Sequence, residues 1–262
     1  MFEALVPWEP SFLVPLTLVL AAFAYGRGAL AEPVWRKACY GCGLFLFYAV
    51  SFTHFDYYAE HLFFVHRLQH SVLHHLAPFL VALSRPGAAI LAGIPVGLRG
   101  ALARLKPVGV LNRPLTAVLL FCGLIAFWLV PGVHLYAMLD ARLYKLMNAL
   151  MAVNGLMFWS TVLNGPWKPA TRVLMQLAIV PPQIVIGFLL VMAGRDLYPL
   201  YDLCGRIGGF DARSDQVMGG VVIWLSAMMM SAAGIGVVIL RAGLAGRSPV
   251  AVASTPPTRH SA

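Results

Sequence analysis

Charge is the scarcest property of this chain. Asp, Glu, Lys and Arg make up 11% of 262 residues, against roughly 25% in ordinary soluble domains. Apolar residues make up 60%, and mean hydropathy is +0.79. Too little polar surface remains to cover a water-facing globule, so lipid must be the solvent for most of the chain. Acids are rarer still, 10 against 19 Lys and Arg. The resulting +9 is not a nucleic-acid footprint, because the basic residues sit in short loops and form no face with interleaved aromatics. Only four cysteines are present, which in a membrane chain makes no disulfide framework. The first ten residues hold Glu3 and Glu9 but no Lys or Arg. Without a cationic n-region, Ala22-Phe23-Ala24 does not read as a cleavage site, and the first helix is expected to stay. Hydrolase, kinase and dinucleotide motifs are missing too; the glycines between Gly205 and Gly209 lack the strand–turn–helix context of a phosphate loop. No enzyme is expected.

What is present is apolar length. Seven windows are long enough to span or nearly span a bilayer as helices, at residues 10–26, 38–52, 62–83, 115–130, 143–163, 173–193 and 217–240. The expected fold is therefore an all-α membrane bundle of about seven transmembrane helices, one domain over residues 1–246. Residues 247–262, rich in Pro, Ser and Thr, read as a disordered tail. Residues 87–106, broken by Gly93, Pro95, Gly97 and Gly100, are expected to lie along the membrane surface. Pro181-Pro182 predicts a kink in the sixth helix. Thirteen Lys and Arg, from Arg27 to Arg259, follow odd-numbered helices, against five (Arg142, Lys145, Arg195, Arg206, Arg213) on the other side. That bias puts the N-terminus outside and the C-terminus in the cytoplasm.

The third window carries the chemistry. It holds His66, Arg67, Gln69, His70, His74 and His75 after Glu60 and His61. A charge at the centre of a bilayer helix costs on the order of 2.5–3.5 kcal/mol, so such groups face a bundle interior, a wet cavity or an ion. His66, His70 and His74 follow i, i+4, i+8, a stripe about 80° wide at 100° per residue. Two imidazoles at i and i+4 can share one metal. His75 is expected to point nearly opposite, and His61 to sit at the outer mouth with His54 and Asp56. Arg67 and Gln69 are expected to orient the site or pair with acids of other helices. Imidazole suits copper, zinc, iron and nickel, and thioethers such as Met147 and Met151 on the fifth helix would favour Cu(I). Cys39-x-x-Cys42 could also take Cu(I), but Gly41 and Gly43 beside it fit a helix-packing face.

His66-Arg-Leu-Gln-His70 followed by Leu76-Ala77-Pro78 resembles the signature helix of the CtaG-type cytochrome c oxidase assembly factors. Trp128 to Pro131, Phe158-Trp159, Leu197-Tyr198-Pro199, and Asp215-Gln216 to Gly220 with Trp224 match in the same order. The resemblance implies a seven-helix protein of the bacterial inner membrane that binds copper and delivers it to a haem–copper oxidase subunit. It departs at two places: Leu129 and Asn148 stand where the family usually has histidine. The metal ligands expected here are His66 and His70, with His74 as the third. His54, His61, Gln69, His75, Asp215 and Met147 are the access and supporting residues. Three alternatives stay open: a haem-binding or redox protein, a copper transporter, and a metal-free assembly scaffold. The haem reading is awkward because His54, His134 and His260, the histidines outside the third helix, are not expected mid-membrane.

Overall fold

The computed structural model describes residues 7–8, 12–104 and 113–246. The N-terminal glutamates, Lys106 and the tail expected at 247–262 lie outside the described residues. A chain with lipid as solvent must satisfy its backbone locally. Among the described residues all regular structure is helical, apart from one isolated bridge between Pro7 and Thr53.

Every apolar window is helical. The first and second become α1 (Leu13–Gly28) and α2 (Val34–Phe52), and the short α3 (His54–His61) follows, N-capped by the Thr53 side chain. The third runs as α4 (Phe63–Ser71), a π-helical turn (Val72–Leu76) and α5 (Ala77–Leu83). Then come α6 (Gly87–Gly93), α7 (Val96–Arg104), α8 (Pro114–Leu129) and α9 (Pro131–Leu139). The last windows become α10 (Ala141–Asn164), α11 (Pro169–Met192), the single turn α12 (Leu200–Leu203) and α13 (Ala212–Gly246). Helix α11 runs unbroken through Pro181 and Pro182. By length and composition α10, α11 and Ala212–Leu244 can each cross a membrane. Counting each of two bent pairs as one span, Phe63–Leu83 with α6 at 74° and α8 with α9 at 76°, gives five.

The bends and the π turn have local causes. Pro131 forces Val130 out of helical geometry, which separates α8 from α9. Pro78 lacks an N–H, and its ring crowds the carbonyl of His74 one turn back. The chain widens there, with the Ala77 N–H reaching Val72 O. Gly155 of α10 lies against the His74 carbonyl: a Cβ at that glycine would stand 2.5 Å from the oxygen.

Close backbone approaches lock the bundle, as expected where apolar attraction between helices is weak. A Cβ at Gly187 of α11 would lie 2.6 Å from Gly220 O, and one at Gly220 of α13 would lie 2.7 Å from Gly187 O. Gly28 and Gly93 make a similar contact between α1 and α6, against the carbonyls of Ala89 and Ala24. Thus α6 packs on α1. Gly43 abuts α5 at Ala77 and Val81, whereas Gly41 has open space around it. Trp159, Tyr201, Phe63, Phe121 and Phe158 fill the centre. Large apolar side chains line the outside of α1, α11 and α13.

Candidate functional site

Helix α4 is held at its start by an acid from another helix. Asp215 of α13 is fully buried and accepts from the Phe63 and Phe64 N–H groups at 3.0 and 2.8 Å. A carboxylate there meets orphan donors and the positive end of the helix dipole together. Arg206 pairs with Asp215 at 3.1 Å and with Asp196 at 3.1 Å, and also bonds Asp202. Burial opposes the Arg206 charge, but bonds to Asp202, Asp196 and Asp215 outweigh it and hold its pKa above the ordinary value. Gln216 accepts from Leu197 N and donates to Leu190 O, fixing the loop before α12. Asp215 therefore positions the histidine helix.

One turn further, His66 and His70 meet, with Nε2–Nε2 3.0 Å apart. His66 Nδ1 lies 3.1 Å from the Tyr201 hydroxyl, which lies 2.9 Å from His134 Nε2. His134 Nδ1 is 3.2 Å from Trp128 O. For neutral imidazoles the chain has one consistent proton order, because a carbonyl can only accept. His134 donates to Trp128 O, Tyr201 to His134, His66 Nδ1–H to Tyr201, and His70 Nε2–H to His66. The last donor is shared with Asn148 Oδ1 at 3.1 Å. Asn148 thus sits against His70, at a position where the resemblance implied an imidazole.

His134, a histidine outside the third window, is fully buried in the bundle, its ring 5.1 Å from that of His66. The proline that ends α8 starts the helix that carries it inward. Tyr201, on the single turn α12, was visible only as part of a Tyr-Pro-Leu-Tyr string. Burial holds its hydroxyl pKa well above the ordinary value and pushes that of Tyr198 up to about 12. Tyr198 donates to Leu129 O at 2.8 Å.

His74 does not join His66 and His70. Its ring stacks on Phe121 at 3.8 Å and its Nε2 is 2.9 Å from Asn154 Oδ1. His75 also departs from expectation. The π turn inserts a residue's worth of rotation, so His75 lines the same cavity as His70 and His74 instead of facing away. Its Nε2 is 3.2 Å from Gln183 Oε1. This cavity has a volume of about 20 Å³, room for one water-sized group. Arg67, Ser71, Gln183 and Ser226 complete its polar wall, and Ile125, Met151 and Ile223 line the rest. Met151 is the thioether lining this cavity, and Met147 and Met151 both belong to the apolar core. Arg67 lies over the Phe63 ring at 5.1 Å and pairs with no carboxylate among the described residues.

Gln69 does find an acid: its amide donates to Asp56 and to Val50 O, and Tyr144 donates to the same carboxylate at 2.7 Å. His61 bonds back to Tyr57 O at 2.8 Å within α3, and the His54 ring lies 5.4 Å from that of Trp8. Cys39, Cys42, Cys122 and Cys204 are free. Among the described residues no three His, Cys, Asp or Glu side chains are arranged to hold a metal ion.

A family model described as cytochrome c oxidase caa3 assembly factor (Caa3_CtaG) matches residues 12–242. No curated protein and no solved structure matches the chain.

Proposed function

The chain belongs to the cytochrome c oxidase caa3 assembly factor family, and from that premise we propose that it carries Cu(I) in transit to a haem–copper oxidase subunit in the bacterial inner membrane. In this reading seven helices cross the bilayer with the N-terminus outside, and copper arrives from the acid-bearing end near His54, His61 and Asp215. The observation that carries the proposal is the buried His66–His70 pair. Two imidazole nitrogens 3.0 Å apart share one proton; if that proton moves to the unpartnered Nδ1 of His70, both Nε2 atoms present lone pairs to a soft monovalent cation. Asn148 offers only an amide oxygen there, a poor ligand for Cu(I), so the station stays under-coordinated. An under-coordinated ion is one that can leave. His74, one turn away beside Met151, offers a second resting place on the same helix. A haem reading loses ground, since His66 and His134 rings 5.1 Å apart and joined through Tyr201 leave no room for a porphyrin between them.

The test is Cu(I) competition against a chromophoric chelator, wild type beside His66→Ala/His70→Ala, with oxidase copper content measured in cells carrying each. Near-stoichiometric Cu(I) that disappears in the double variant supports the carrier. Unchanged affinity would sink it.

A metal-free scaffold is the second reading. It is favoured by the amides of Asn148, Asn154 and Gln183, which already occupy the Nε2 atoms of His70, His74 and His75. Under it, a His66→Gln/His70→Gln variant keeps the bundle together and supports oxidase assembly at normal levels with no copper bound.

A further inference from the structure

The end of the molecule opposite the Asp215 cluster gathers arginines from separate helices. Arg85 lies two residues past the end of α5, Arg172 lies in the first turn of α11, and Arg241 lies near the end of α13. These positions fall at the ends of three candidate spans. The three guanidinium groups are close enough to act on one another electrostatically, and Arg36 at the start of α2 also acts on Arg241. Like charges held together cost energy unless something negative joins them.

The chain itself supplies almost nothing negative here. No Asp or Glu occurs at positions 61–139, 141–195 or 216–262. Glu32 is the nearby acid in sequence and is engaged by Arg36 at 2.7 Å. Arg241 reaches only carbonyls, donating to Leu163 O at 2.9 Å and Leu83 O at 3.3 Å, in the last turns of α10 and α5. Arg172 does the same with Trp167 O at 2.9 Å and with Gly165 O. These bonds hold both guanidinium groups in place without neutralising them. The Arg85 side chain makes neither a hydrogen bond nor an ion pair among the described residues and is exposed, while its backbone N–H donates to Ala82 O at 3.1 Å. Its backbone has φ 54°, a conformation that favours glycine or asparagine over a long side chain. Gly87 lies two residues on, so the turn holds a strained arginine where a smaller residue would sit more easily.

We propose that Arg85, Arg172 and Arg241 bind the phosphate of an anionic phospholipid headgroup at this end of the bundle. The ends of membrane spans lie at headgroup depth, where basic pockets between helices take acidic lipids. A guanidinium matches a phosphodiester with paired donors. The half-buried Trp167 beside Arg172 suits the same depth. The site is independent of any copper on α4.

The experiment uses the full-length protein in phosphatidylcholine nanodiscs, with bound lipid read by native mass spectrometry as phosphatidylglycerol is titrated in. Wild type should retain phosphatidylglycerol over phosphatidylcholine. Each arginine removed should cut that preference about fivefold. Arg85→Asn is the cleanest variant, because it removes the charge, breaks no hydrogen bond and relieves the backbone. Arg172→Gln and Arg241→Gln keep amide donors for the carbonyls they bond. No headgroup preference in wild type would overturn the proposal, as would a preference unchanged in Arg85→Asn and in the Arg172→Gln/Arg241→Gln pair. Millimolar inorganic phosphate should leave the bound lipid in place; complete displacement would overturn the lipid as the ligand in favour of free phosphate.

Discussion

At the scale of single residues, the site depends on atoms that finish one another's hydrogen bonds. Tyr201 is the middle of its chain, donating to one imidazole and accepting from another. Replacing it with phenylalanine leaves a bare nitrogen on His134 and an unpaired N–H on His66, both buried. A lost buried partner costs about 1–3 kcal/mol, so Tyr201→Phe should lower the apparent melting temperature in detergent. A carrier site built on His66 and His70 should still bind Cu(I), because neither Nε2 atom touches the tyrosine. The sequence made His66, His70 and Gln69 legible because polar side chains inside an apolar window must have partners. It left His134 obscure, since one histidine in a short apolar helix carries no periodicity to say which way it faces. Arg67 was expected to orient the site or to pair with an acid; it lines the histidine cavity, while the buried carboxylates are taken elsewhere, Asp56 by Gln69 and Tyr144, Asp215 by Arg206 and the start of α4.

At the scale of elements, what could be read was where helices lie. All seven windows became helices because apolar length in lipid has no other local solution. What could not be read was how a helix is phased when its hydrogen-bond ladder slips. The His66, His70, His74 stripe assumed 100° for every residue, and the π turn at Val72–Leu76 breaks that count before His75. Pro78 was visible in the sequence as its cause, but a proline can kink, break or widen a helix, and only the packing of Gly155 on the His74 carbonyl decides among them. The short α3 was missed because eight residues hold too few turns to show a pattern. Asp215→Asn tests the tie between α13 and α4. It keeps the size but removes the charge that Arg206 and two N–H groups share, at a cost of about 2–3 kcal/mol. Thermal unfolding should show the drop, and hydrogen exchange should rise first at Phe63 and Phe64.

Helix caps give the pH dependence. Asp140 caps α10 by accepting from Arg142 N and Leu143 N at 2.7 and 3.1 Å. The Leu143 and Arg142 N–H groups hold its carboxyl below the usual range. A carboxyl with a depressed folded pKa stabilises above its unfolded value, about 3.9, and that stability is lost as pH falls through the lower folded value. Asp140→Ala should therefore melt below wild type at neutral pH, with the two curves converging in strong acid.

At the scale of the whole molecule, charge divides the two ends. Arg206 gathers Asp196, Asp202 and Asp215 at one, while Arg85, Arg172 and Arg241 stand at the other without an acid of their own. The positive-inside rule leads us to expect the arginine end in the cytoplasm. A fluorescent protein fused after residue 262 should glow there, and alkaline phosphatase fused at the same place should stay inactive; the reverse result would invert the topology. The composition foretold this polarity, since loop charge is written directly in the sequence. The number of crossings is less direct, because bent pairs such as α8 with α9 spend one apolar stretch on two directions.

Helix α13 has 35 residues and so is about 52 Å long at 1.5 Å per residue, against a hydrocarbon core of about 30 Å. It cannot be hidden whole. Near one end it is clamped to the histidine helix by Asp215, and along its length Gly220 keys it to α11. Mechanically it is a tie rod: the Asp215 clamp anchors one end on the histidine helix, and Arg241 anchors the other on the carbonyls of Leu163 and Leu83.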